Sequence, residues 1–336
     1  MIKSLIISRT DSLGDVVLTL PAAGVIKKIY PGIKIYFMGR SYTQPVIQTS
    51  RFVDEFINWD EVSSYPQQQQ VEFFKSLKCD AIVHVFPNIH IAKIAFKSNI
   101  PLRIGTSHRF YHLFYCNKLL AIGRNKSPLH ESQLNLMLFS PLGAKSIYEL
   151  EEIPEFYGLT KLKLLDDQYK NLLDSNRFNL ILHPKSKGSA REWGLDNFGE
   201  LINLLPKDKF KIFISGTIED RKFLVPLLDK YKNDVVDITG QMSLSDFISF
   251  INHADGLVAA STGPLHIAAA MGKMAIGLYA PMRPIHPGRW SPIGVKGKYL
   301  VIDKQCNKCQ NSLDCECIRM ITPASVANLL TANHPL

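Results

Sequence analysis

The chain has 336 residues, enough for about two domains with cores of their own, and a composition of 46% hydrophobic and 21% charged residues that excludes a disordered or fibrous protein. Lysine and arginine number 39 against 30 aspartates and glutamates, and the resulting +9 favours an anionic partner: on charge alone nucleic acid, phospholipid headgroups and phosphorylated sugars all stay open. The first residues lack the apolar core of a secretory signal, and the apolar stretch 256–272 is interrupted by Pro264 and His266, so the expected location is the cytoplasm with any membrane contact peripheral.

Leu5, Ile6 and Ile7 predict an opening strand, followed by a polar loop from Asp11 to Asp15 and by a helical periodicity over residues 16–29 that stops at Tyr30, Pro31 and Gly32. Further strands are predicted at 33–38, 81–86 and 102–104, with amphipathic stretches between them and a glutamine run at 67–70 that reads as a helix start or loop. A charged segment across 149–179 marks the junction between domains. A second series follows: strands at 178–182, 210–215, 235–237, 256–259 and 274–278, and helices at 197–205, 220–230, 245–252 and 264–271. Strands alternating with helices mean parallel α/β sheets, and two doubly wound domains in tandem are the simplest account.

In such sheets ligands sit where strands end and helices begin, and three loops there carry chemistry. In the first, Ser12 and Gly14 precede Asp15, which reads either as a helix cap or as a general base whose carboxylate takes a proton from a substrate hydroxyl. No Gly-x-Gly-x-x-Gly fingerprint occurs there, which argues against a nicotinamide dehydrogenase. The second runs from Ser261 through Thr262, Gly263, Pro264 and Leu265 to His266 and suits a diphosphate: Thr262 can cap, Gly263 admits a ligand to the backbone, and Pro264 is tolerated in a first helical turn. A normal capped helix start, with His266 packed, reads equally well from this loop alone. In the third, Lys185, Ser186, Lys187, Ser189 and Arg191 suit phosphate oxygens, or form a solvated basic loop. The chain has no Asp-x-Asp, so a carboxylate-held divalent metal has no obvious ligands, and no metal or cofactor is expected. Cys306, Cys309, Cys315 and Cys317 could supply four thiolates to zinc, but reduced thiols in a cytosolic loop are the preferred reading.

Taken together and in order, these loops resemble the family 9 glycosyltransferases, the bacterial ADP-heptose:lipopolysaccharide heptosyltransferases and their relatives. The resemblance runs nearly end to end. It is carried by residues 12–21 (SLGDVVLTLP), Val53, Asp54 and Glu55, His130 and Glu131, the loop ending in Arg191, Glu192 and Trp193, residues 240–244 (GQMSL) and residues 261–270 (STGPLHIAAA). It implies a GT-B fold: two Rossmann-like doubly wound domains facing across a cleft, with a C-terminal helix, within residues 323–332, crossing back to the first domain. The implied division is an acceptor-binding domain at 1–155, a linker at 156–177, a nucleotide-sugar domain at 178–321 and a terminal helix segment at 322–336. The resemblance assigns Asp15 as general base, with Ser12 and Gly14 in the acceptor loop. It assigns Lys185, Ser186, Arg191 and the turn from Thr262 to His266 to the diphosphate, and Glu219 and Met242 to the nucleoside. Ser261 stands where many heptosyltransferases have an aspartate that holds heptose hydroxyls, and Arg191 stands where lysine is usual; arginine keeps the charge and can bind phosphate bidentately. His286 and Arg289, in a stretch shared with only a subset of the family, read as cleft-facing groups or as a rigid turn.

The implied activity is inverting, metal-independent transfer of a heptose or similar sugar from a nucleotide-diphosphate donor, expected to be ADP-heptose. The implied acceptor is the lipopolysaccharide core or a related anionic glycolipid, at the inner face of the cytoplasmic membrane of a Gram-negative bacterium. A nucleotide-sugar epimerase of GT-B architecture and a non-catalytic phosphoglycan-binding module are the alternatives. A nucleic-acid binder, which calls for basic and aromatic residues interleaved on one face, is disfavoured because the basic residues concentrate partly in one loop of the second domain.

Overall fold

In the computed structural model, which describes residues 2–124, 127–304, 306 and 314–332, the chain forms two parallel sheets, one in each of the units Met1–Lys161 and Leu162–Leu336. The first contains β1 (Ser4–Ser8), β2 (Lys34–Gly39), β3 (Glu55–Asn58), β4 (Ala81–His84), β5 (Leu102–Thr106) and β6 (Lys118–Leu120), in the order β3-β2-β1-β4-β5-β6. β1 is buried along its whole length and paired on both sides, the reason it reads as a continuous apolar run without alternation. The second sheet contains β7 (Phe178–His183), β8 (Phe210–Ile214), β9 (Val235–Asp237), β10 (Gly256–Ala260), β11 (Met274–Tyr279) and β12 (Gly297–Val301), in the order β12-β11-β10-β7-β8-β9. Each sheet therefore grows outward from a central pair, β1 with β4 and β7 with β10, where the direction of winding reverses.

The doubly wound reading holds in both units, with three differences in detail. β3, β6 and β12 are partly exposed edge or near-edge strands whose mixed polarity hides them from a pattern search. The single helix expected over 16–29 is two, Leu13–Val17 and Pro21–Ile29; Pro21 opens the second, where its missing N–H is harmless. The glutamine run begins a helix, Gln67–Ser76.

The third difference is at the C-terminus. The helix Pro323–Ala332, expected to return to the first unit, is built into the second: Val326 and Leu330 are fully buried in that unit's core, against the helix Leu195–Leu204. Trp193 explains the attachment. It is wholly buried, packs edge-on against Phe198 at 4.9 Å, and donates its indole N–H to the carbonyl of Ile321 at 2.8 Å, immediately before the terminal helix. Cys315 and Cys317 are buried in the same core and Cys306 packs on it, while Cys309 lies outside the described residues. Among the described residues no helix is long and apolar enough to cross a membrane, and no three His, Cys, Asp or Glu side chains are placed to hold a metal.

Candidate active site

In the first unit the residue that follows β1 is Arg9, only 3% exposed. A guanidinium keeps its proton in proteins, so burial at this depth demands carboxylates. Arg9 donates to Asp11 Oδ1 at 2.7 Å and to Asn135 Oδ1 at 3.2 Å, pairs with Glu131 Oε1 at 3.4 Å, and bonds the carboxylate of Asp15. Burial alone would weaken its hold on the proton; Asp11, Asp15 and Glu131 outweigh that and raise its pKa. Arg124 pairs with the same Glu131 and donates to Asn135 Oδ1 at 3.0 Å. Asn135 in turn donates to Thr19 Oγ1 at 3.0 Å, and Thr19 donates to the Asp15 carbonyl at 2.8 Å, so one buried network fixes both the cation and the turn that carries Asp15.

Asp15 is the third residue of Leu13–Val17, and Ser12 is the cap position. The Ser12 hydroxyl donates to the Asp15 carboxylate and accepts no backbone N–H, so Asp15 is held by side chains and does not serve as the helix cap. That leaves a carboxylate in the first turn of a helix, clamped by Arg9 and Ser12 and still partly open to solvent. Asp11 competes for the same cation. Burial pushes its carboxyl up to about 7, Arg9 opposes the rise, and Asp15 adds to it. The Tyr42 hydroxyl donates to the Asp11 carbonyl at 2.7 Å.

In the second unit β7 and β10 are neighbours, so the loops that leave their C-terminal ends flank the point where strand order reverses. After β7, Glu192 organises the basic loop: it pairs with Lys185 and accepts from the Ser186 amide at 3.0 Å, while the Ser186 hydroxyl donates to the Ala190 carbonyl at 2.9 Å. Lys187 and Gly188 both take positive φ, +49° and +81°, which folds the loop back on itself. After β10, Thr262 is the cap position of the helix Gly263–Ala270 in extended conformation, yet its hydroxyl makes no capping bond. Thr262 is only 6% exposed, and among the described residues its Oγ1 has no hydrogen-bond partner. The first-turn N–H groups of Gly263 and Leu265 have no acceptor further back in the helix, and Pro264 has none to offer. Leu265, His266, Ile267, Ala268 and Ala269 are all buried, so the helix is enclosed behind its start.

Glu219 is the second residue of the helix Ile218–Lys230, exposed, and 3.7 Å from Lys187. Its neighbour Asp220 is committed to a capping box, accepting from the Thr217 amide at 2.9 Å and hydroxyl at 2.8 Å. Gly240, at φ +67°, packs so closely on this helix start that a Cβ would sit 2.9 Å from the Ile218 Cα, which brings the turn carrying the half-buried Met242 to the same place. Ser261 is partly exposed, and the buried Tyr279 hydroxyl donates to the Trp290 carbonyl. His286 caps the short helix Pro287–Trp290 by accepting from the Gly288 amide at 3.0 Å, and Trp290 donates back to the Pro284 carbonyl at 2.8 Å, so the stretch forms a hydrogen-bonded turn.

The structure thus gathers Ser12, Gly14 and Asp15 at one strand end, and Lys185, Ser186, Arg191 and residues 261–266 at a pair of adjacent strand ends. Arg9 and Asn135 have no part in the sequence reading, where Asp11 stands only as the start of a loop and Glu192 only as part of a motif. The one usable signal was Arg9 itself, a cation closing an apolar strand just before two aspartates.

The family model of glycosyltransferase family 9 (heptosyltransferase) matches residues 72–317. A Haemophilus influenzae protein named only as a glycosyltransferase is 26% identical over 98% of this chain and 97% of its own length. The lipopolysaccharide core heptosyltransferase OpsX of the same organism is 23% identical over 84% of this chain and 80% of its own. Among solved structures, the ADP-heptose lipopolysaccharide heptosyltransferase II of Escherichia coli superposes with a TM-score of 0.76 at 17% identity, covering 98% of both chains.

Proposed function

Given that the chain belongs to glycosyltransferase family 9 and has its two-domain α/β GT-B fold, we propose that it transfers a heptose or similar sugar from a nucleotide-diphosphate donor, ADP-heptose, to the lipopolysaccharide core or a related anionic glycolipid. The observation that carries this reading is Asp15: a carboxylate in the first turn of a helix, clamped by Arg9 and Ser12 and free of any capping duty. Asp15 takes the proton of an acceptor hydroxyl, and the hydroxyl oxygen attacks the anomeric carbon from the face opposite the diphosphate. The glycosidic bond forms with inversion as the bond to the diphosphate breaks.

The first unit receives the acceptor and the second the donor. Negative charge gathers on the departing diphosphate, and Lys185, Ser186, Arg191 and the start of Gly263–Ala270 supply cations and fixed N–H and O–H donors for it. The buried hydroxyl of Thr262 supports that assignment, because a phosphate oxygen gives it a partner that the described residues do not. Glu219 and the Met242 turn border the place for the nucleoside, and Ser261 the place for the sugar. These protein cations fill the role a divalent metal plays elsewhere, so transfer proceeds in EDTA. The enzyme works in the cytoplasm, at the inner face of the membrane that carries its acceptor.

The test combines Asp15→Asn with calorimetric titration of ADP, UDP, GDP and CDP and a transfer assay using ADP-heptose, each with and without EDTA. The expected outcome is a rate loss of about 10²- to 10⁴-fold with ADP affinity unchanged. Near wild-type rates in the variant overturn the base assignment, loss of activity in EDTA overturns metal independence, and tighter UDP or GDP binding moves the donor away from ADP-heptose.

A further inference from the structure

The +9 charge of the chain is not spread evenly. Residues 81–130 contain seven lysines and arginines and no aspartate or glutamate, so one seventh of the sequence carries seven of the nine excess charges. This segment is also where the first unit leaves large apolar side chains uncovered. Phe110 is 75% and Phe114 62% exposed, with Leu113 beside them on or next to the short helix His112–Tyr115.

The exposed rings form one patch. Phe110 meets Phe114 edge-on at 5.1 Å, Tyr115 follows Phe114 in the chain, and Tyr115 lies 5.8 Å from Phe96, itself exposed at the end of the helix Ile89–Lys97. Arg109, Lys97 and Lys118 are exposed around it, and the Arg103 guanidinium lies over the Phe96 ring at 5.4 Å. Among the described residues none of these four cations has an acidic partner: Lys97 donates to Gln67, and Arg103 to the carbonyls of Ile100 and Tyr115. The patch sits at an open sheet edge, since β6 is the last strand, and the turn bearing Phe110 leaves β5 at the same end of the sheet from which the Asp15 loop leaves β1.

We propose that this face is where the enzyme lands on an anionic lipid bilayer, with Phe110, Leu113 and Phe114 entering the headgroup boundary and the surrounding lysines and arginines meeting lipid phosphates. Exposed aromatic side chains ringed by cations fit an interface that is apolar below and anionic above. A second copy of the chain fits poorly, because its own patch would bring the same positive ring and no carboxylate to answer it. The inference deepens the functional reading in one respect: an acceptor anchored in a membrane requires the catalytic unit to be held at the lipid surface, beside the loop that carries Asp15.

The experiment uses the full chain and vesicle flotation with phosphatidylethanolamine–phosphatidylglycerol vesicles and with phosphatidylcholine vesicles, at low and high salt. The wild type should float with the anionic vesicles, less so at high salt and not with the neutral ones. The variant Phe110→Ser/Phe114→Ser should lose about tenfold or more in partitioning with an unchanged melting temperature, because both rings are already exposed. Arg109→Glu/Lys118→Glu should lose a further order of magnitude or so and most of the salt dependence. Equal flotation of wild type and the serine variant overturns the proposal, as does equal binding to neutral vesicles. Self-association that the serine variant abolishes, with no vesicle binding, also overturns it and assigns the face to a second copy. Transfer to a soluble, delipidated acceptor separates the two readings. The serine variant should keep that activity, whereas its absence from the wild type counts against the transfer reaction and leaves the vesicle result standing.

Discussion

Replacing Asp11 by asparagine should change how stability depends on pH, in a direction opposite to that of an ordinary surface carboxylate. Asp11, Asp15 and Glu131 all draw on the Arg9 guanidinium, and Asp11 is the one whose carboxyl is pushed up by burial, to about 7. In the unfolded chain the same group titrates near 3.9. The folded state therefore holds a proton that the unfolded state releases, so stability falls as pH rises through this window and the loss is complete above the folded value. About three pH units at roughly 1.4 kcal/mol each make the effect on the order of 4 kcal/mol. Asp11→Asn still offers an oxygen to Arg9 but cannot titrate. Melting curves of both proteins from pH 4 to pH 8 should diverge, the variant gaining on the wild type by roughly 8 to 16 °C across the range. Parallel curves would show that Asp11 is ionised in the fold at all these pH values and would refute the argument from three acids sharing one cation.

Two further outcomes can be checked by similar means. Thr262→Val removes a buried hydroxyl that has no partner among the described residues, so the melting temperature should hold or rise, while affinity for a nucleoside diphosphate should fall by roughly 10- to 100-fold; unchanged affinity in calorimetry would take Thr262 out of the proposed diphosphate site. His84 is fully buried beside His112, neither of its ring nitrogens is hydrogen bonded among the described residues, and burial pushes its pKa down to about 3. Its neutral form is the folded one, so its contribution is intact above about pH 6.5 and declines below it, by about 2 kcal/mol at pH 5. His84→Leu should flatten the acid side of the stability profile, and superimposable acid limbs would refute this.

The parts of the molecule visible in the sequence are those whose signals are local. β1, β7 and β10 are unbroken apolar runs because both their faces are covered, and the loops after them hold glycine, proline and hydroxyl residues within a few positions of one another. Asp15 was legible for that reason. The network that covers Arg9 behind it was not, because Glu131 and Asn135 lie 122 and 126 positions from Arg9, and nothing in a short window says that an arginine at a strand end will be covered. The division of residues 13–29 into two helices follows from Pro21, which opens the second helix within a continuous apolar stripe that by itself spans both. The destination of the terminal helix was decided by Trp193, some 130 residues earlier in the chain, whose indole reaches the carbonyl of Ile321. That contact is tertiary and leaves no periodic trace.

The enclosed helix Gly263–Ala270 also bears on which part of the proposed donor site can adapt and which cannot. With its side chains sealed into the second sheet's core, this helix cannot tilt or slide to suit a new ligand without disturbing β10 and β11, on both of which it packs. Only the tip of the loop after β7 is without such confinement: Lys187, Gly188 and Ser189 are exposed and turn through left-handed residues at Lys187 and Gly188, while Ala190 and Trp193 behind them are buried in the same core and Glu192 ties the loop down. The helix start is thus an anvil, and the loop tip is the part open to change. On the proposed reading, substitutions at the loop tip alter donor preference while the helix start stays a fixed reference for the diphosphate.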